Sequence, residues 1–142
     1  MRSYAYTYDA LNRIKTAKYS QINNDRSCKF NERINNYDRN GNILGLFRYT
    51  ENPNNANLSI PIDNLTYTYD KGNKLMKVDD DYKSSSYGAE GFKDGTNTGN
   101  DYSYDANGNM TRDYNKGIGT SSTDGITSVS YTHLTLPTKR IV

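Results

Sequence analysis

Along this chain tyrosines alternate with polar residues and then give way to an aspartate, and the pattern returns four times. The aspartates are Asp9, Asp38, Asp70 and Asp105, each directly preceded by a tyrosine: Tyr8, Tyr37, Tyr69 and Tyr104. In three of these units a second tyrosine stands two residues before the first, as Tyr6, Tyr67 and Tyr102, with Thr7, Thr68 or Ser103 between them. Three residues after each aspartate comes Asn12, Gly41, Asn73 or Gly108, and two residues further an apolar side chain, Ile14, Ile43, Leu75 or Met110. The internal spacing is constant, while successive aspartates lie 29, 32 and 35 residues apart. A structured turn with tolerant connecting loops behaves in this way.

Period-two alternation places both rings of a unit on one face of a strand and the Thr or Ser on the other. The aspartate then opens a turn, its carboxylate accepting a backbone N–H two residues on. The position occupied by Asn or Gly favours a residue able to take a positive φ. Each unit therefore predicts a β-hairpin, with turns at about 9–14, 38–43, 70–75 and 105–110 and return strands at 14–19, 43–49, 75–78 and 110–114. The second unit carries Asn35 and Asn36 where the others have a tyrosine and its spacer, so Ile34 and Tyr37 are its expected anchors. Connectors rich in Asn, Ser, Gly and Pro, at 51–57 and 84–88, predict surface loops. No window shows helical periodicity. The expected fold is all-β, an array of hairpins side by side in a curved, twisted sheet with open edges at its ends.

Composition sharpens this picture. Of 142 residues only 33% are apolar, there is no Trp and only 3 Phe, yet there are 14 Tyr, so tyrosine must supply much of the buried surface. A buried phenol still needs a partner for its hydroxyl, which suits thin packing whose polar tips reach water or backbone. The net charge of +2 and the aromatic content argue against disorder of the whole chain. Its 18 Lys and Arg are scattered among 16 acids without forming a stripe, and nucleic acid is not an expected partner.

Candidate chemistry is sparse. Cys28 and His133 are each alone, so no internal disulfide, cysteine zinc site or histidine-based triad can be assembled. No catalytic residue, cofactor or metal is expected, and no enzyme activity. The segments 38–42 and 105–109 are oxygen-rich, but they lack the alternation and the distal Glu of a calcium loop and are read as turns. Asp79, Asp80 and Asp81 are read as a solvated charge run beside a strand end. The start of the chain lacks the apolar stretch of a signal peptide, and no run is long and apolar enough for a membrane span.

The segments 6–14, 67–70 and 102–110 resemble the YD repeats of bacterial RHS proteins, as does the stretch 91–97 leading into the last motif. The resemblance covers roughly residues 4–128, the repeat region. It implies a shell of β-strands that encloses a C-terminal polypeptide, often a toxin, in a large exported or cell-surface protein. Related shells occur in insecticidal toxin complexes and teneurin-like proteins. The implied partners are neighbouring repeats and the enclosed toxin; a surface-displayed module binding glycans or a cell envelope is the alternative. Residues 129–142 read either as the in-frame translation of a sequencing-library adapter, the favoured reading, or as a partial further repeat.

Overall fold

The computed structural model describes residues 2–21, 29–82, 91–95 and 98–119. The segment 84–88, expected as a loop, and the tail 129–142 lie outside the described residues. Among those described there is no helix, and the protein is all-β.

Six strands form one antiparallel sheet in chain order: β1 (Arg2–Tyr8), β2 (Ile14–Gln21), β3 (Glu32–Tyr37), β4 (Ile43–Asn52), β5 (Asn55–Tyr69) and β6 (Leu75–Asp80). A separate hairpin pairs β7 (Tyr102–Tyr104) with β8 (Met110–Asp113). The four turns thus fall where the repeat predicts them, and each return strand starts at its apolar residue. Two expectations need correction. The fourth hairpin does not join the ladder of the other three, and the stretch 51–57 is mostly strand: β4 runs on to Asn52, Pro53 and Asn54 make the turn, and β5 begins at Asn55. Pro53 supplies the fixed φ that suits the first corner of a turn, and the Asn52 side chain accepts from Asn54 N–H at 2.9 Å, so two residues suffice.

Every repeat hairpin carries the same irregularity. The motif tyrosine pairs with the apolar residue after the turn, Tyr8 with Ile14, Tyr37 with Ile43, Tyr69 with Leu75 and Tyr104 with Met110. The next pair skips one residue on the return strand, leaving Lys15, Leu44, Met76 and Thr111 as bulges. A bulge bends its strand and raises the local right-handed twist. In the second unit Asn35 makes a further bulge, and Gly45 opposite it provides the space, since a Cβ there would stand 3.3 Å from that of Asn35. Ile34 and Tyr37 are half-buried, as expected for the anchors of that strand.

The pairing between β2 and β3 is the thinnest seam of the sheet, only Thr16 with Arg33 and Ala17 with Glu32. Asn31 reinforces it from outside the ladder: its side-chain oxygen accepts Tyr19 N–H at 2.8 Å and its carbonyl accepts Tyr49 N–H at 3.0 Å.

The main core lies at the other end, where Leu65, Val78 and Tyr102 are buried against Leu46, Tyr67, Leu75, Phe92 and Tyr104. Tyrosines of the third and fourth units therefore pack as the alternation predicts. Those of the first do not: Tyr4, Tyr6 and Tyr8 are exposed, and every residue of β1 is.

Candidate functional site: a repeated tyrosine lock

The turn is the same in all four units. Asp9, Asp38, Asp70 and Asp105 each accept, on Oδ1, the N–H two residues on at 2.8–2.9 Å and the N–H four residues on at 2.8–2.9 Å. The aspartate N–H in turn donates to the carbonyl four residues on, at 2.9–3.0 Å. Such closure requires a left-handed residue at the third position, and Asn12 (φ 59°), Gly41 (91°), Asn73 (65°) and Gly108 (86°) supply it. In three units the second carboxylate oxygen is also occupied, by the Arg13 guanidinium at 2.7 Å and by the Asn42 and Asn109 amides at 2.8 Å. These oxygens serve the turn; among the described residues no acidic, His or Cys group is placed to hold a metal ion.

The hydrogen bonds depress three of these carboxyls below the usual 3.8. For Asp9 the Arg13 amide acts most strongly, followed by the Arg13 side chain. For Asp105 the Asn109 side chain leads, then its amide. For Asp38 burial is the largest single influence and acts upward, but the bonds from Asn42, Asn40 and Gly41 together outweigh it.

Neighbouring units are joined by a contact that the sequence pattern did not reveal. The motif tyrosines of the second, third and fourth units each donate their hydroxyl to the carbonyl of the apolar residue in the unit before. Tyr37 reaches Ile14 at 2.6 Å, Tyr69 reaches Ile43 at 2.9 Å, and Tyr104 reaches Leu75 at 2.7 Å. The one available signal was that a half-buried phenol must find an acceptor. Burial raises the pKa of Tyr69 and Tyr104, so both stay protonated and able to donate.

The residue four after each of the first three aspartates reinforces the junction. The Arg13 guanidinium lies 4.3 Å from the centre of the Tyr37 ring, Asn42 donates to Asn73 at 2.8 Å, and the Lys74 ammonium stands 5.6 Å from the centre of the Tyr104 ring. Position four was not among the repeated positions because its identity changes from Arg to Asn to Lys; only its reach towards the next unit is constant.

Buried acids hold the last hairpin, and they too escaped the sequence pattern. Asp63, fully buried, pairs with Arg48 and accepts Phe92 N–H at 2.5 Å. Asp101, also fully buried, accepts Val78 N–H at 2.7 Å, while its own N–H donates to Met76 carbonyl at 2.8 Å. Asp94 accepts Asp80 N–H at 3.1 Å. The outer edge of β6 is thus sealed by carboxylates instead of continuing into β7. Asp80 corrects the expectation of a solvated run: it is 2% exposed and accepts from Asn64 N–H and Tyr82 N–H, both at 3.0 Å. Beside this region an open hollow of about 560 Å³ is lined by Phe92, Lys93, Tyr102, Asp113, Asn115 and Lys116.

Compared with protein-family models, curated proteins and solved structures, the chain matches none.

Proposed function

We propose that the chain is a wall segment: a slice of an RHS-type β-shell whose parent, a secreted or cell-surface bacterial protein, encloses and protects a C-terminal toxin. The observation that supports this reading is the tyrosine lock at three successive junctions. A contact repeated unit by unit suits a barrier that acts by being continuous. The buried acids answer backbone amides and Arg48, which is structural work. In this reading the chain has no catalytic residue and no cofactor, and its partners are neighbouring repeats and the enclosed polypeptide.

The test is the uninterrupted genomic reading frame together with limited proteolysis of its full-length product. The expected outcome is a continuing repeat array followed by a C-terminal segment that resists protease until the array is unfolded. A reading frame that ends after one or two further repeats, with no enclosed segment, would overturn it.

A second reading, a surface-displayed module that binds glycans, is favoured by one feature, the exposed row of Tyr4, Tyr6 and Tyr8, because bare aromatic rings can stack on sugars. Glycan-array binding by the chain, lost in Tyr6→Ala, would support the module; absence of binding would favour the wall.

A further inference from the structure

Asparagine is followed directly by glycine at two places in the chain, Asn40–Gly41 and Asn107–Gly108, and both pairs fall on the same two positions of the Asp-led turn. Asparagine is a thermolabile side chain. A following glycine has no Cβ to screen its backbone nitrogen from the asparagine side chain. The backbones of the two turns match. Asn40 and Asn107 donate their N–H to the aspartate Oδ1 at 2.8 Å and 2.9 Å, and Gly41 and Gly108 donate theirs to the aspartate carbonyl at 3.3 Å and 3.1 Å.

Asn40 is exposed, yet its side chain is held by the unit that follows. Its Nδ2 donates to Asn73 Oδ1 at 2.7 Å, and the same oxygen accepts Asn42 Nδ2 at 2.8 Å. While Nδ2 is fixed on Asn73, the Asn40 Cγ cannot turn onto the Gly41 nitrogen. Space is no obstacle to that turn, since nothing lies within 4 Å of a Cβ built on Gly41.

We propose that Asn40–Gly41 is a site of spontaneous deamidation gated by the contact between the second and third units, closed while Asn73 holds the Asn40 amide and reactive when that junction opens. The Gly41 N–H gives its proton to hydroxide and the nitrogen attacks Asn40 Cγ. As the new C–N bond forms, the bond from Cγ to Nδ2 breaks and the nitrogen leaves as ammonia, taking its proton from water. Water then opens the cyclic imide at one of its two carbonyls. The product is an aspartate or, where the main chain now runs through the former side chain, an isoaspartate. No electrons are gained or lost, and solvent water is the one co-reactant. The new carboxylate offers only acceptors where Asn40 offered a donor, and it faces Asn73 Oδ1, itself an acceptor. Turning the Asn73 amide round to meet it would forfeit the bond from Asn42. A junction that has once opened and reacted therefore does not reclose with its original bonds, whatever the parent protein encloses.

Peptide mapping by mass spectrometry during incubation at mildly alkaline pH, on the chain and on Asn73→Gly, tests this, with isoaspartate separated from aspartate by chromatography. Gly41 and Gly108 hold the place of Asn73 in their own units, so the substitution keeps the left-handed turn and removes only the acceptor; far-UV circular dichroism should be unchanged. The expected result is conversion at Asn40 roughly three- to tenfold faster in Asn73→Gly, the equivalent of one net hydrogen bond, with the rate at Asn107 the same in both chains. Asn107 thus reports any general loosening of the fold. No product at position 40 in either chain, or equal rates there in both, would overturn the proposal. So would a parallel rise at Asn40 and Asn107, since global unfolding and not the junction would then set the rate.

Discussion

A left-handed backbone costs an ordinary L-residue about 1–2 kcal/mol, because Cβ crowds the following carbonyl. Glycine escapes that cost, and asparagine offsets part of it. At Gly41 the surroundings are open, with nothing within 4 Å of an added Cβ, so substitution there reads the backbone alone. Gly41→Ala should lower stability by about 1 kcal/mol. Gly41→Asn should cost less, since Asn12 and Asn73 hold the equivalent place. Urea titration of the two variants checks both values. The same turns set the response to acid. Asp9, Asp38 and Asp105 have pKa values below 3.8 in the folded chain. Their contribution to stability is therefore fully present above the unfolded value and is lost as pH falls through the depressed folded ones. Stability should drop as pH falls below about 4, and more shallowly in Asp105→Asn, which keeps the turn amides' acceptor without the titrating charge. Denaturant midpoints across that pH range decide it.

At the scale of the element, legibility follows sequence distance. Each turn was readable because its bonds span two to four residues and its chemistry is confined to Asp, Asn and Gly. The return strands followed from the apolar position. The bulged Lys15, Leu44, Met76 and Thr111 share no chemistry, so composition held no sign of them. The locks join residues 23, 26 and 29 apart and depend on a register that local pattern does not specify. Each lock should nonetheless be measurable by itself. Tyr69→Phe keeps the ring and leaves the Ile43 carbonyl without its donor, and should destabilise the chain by roughly 0.5–1.5 kcal/mol. Tyr6→Phe, whose hydroxyl takes no part in a lock, serves as the control and should be near neutral. Thermal melts of the pair test this; equal losses in both would mean that the hydroxyl of Tyr69 contributes nothing.

At the scale of the whole molecule, the question is why the fourth hairpin leaves the ladder yet stays attached. Strand β6 offers its outer amides to Asp101 and Asp94, which reach it from the stretch 91–101 instead of from a paired strand. Attachment then depends on the strap that Gly91 and Phe92 form against Asp63. A Cβ on Gly91 would stand 2.6 Å from Asp63 Oδ1 and 2.7 Å from Ile62 carbonyl, and the second of these is backbone that cannot swing aside. Gly91→Ala must therefore lift the strap away from Asp63, breaking the Phe92 N–H bond and leaving a buried carboxylate partnered only by Arg48. The damage should fall on one side of the molecule. Hydrogen exchange should quicken at the amides of Phe92, Val78 and Asp80, all of which bond to acids in this region, while Leu11, Asn40 and the other turn amides of the first two units keep their wild-type protection. Uniform loss of protection would show instead that the four hairpins fold as one unit and that the strap is part of a single cooperative structure.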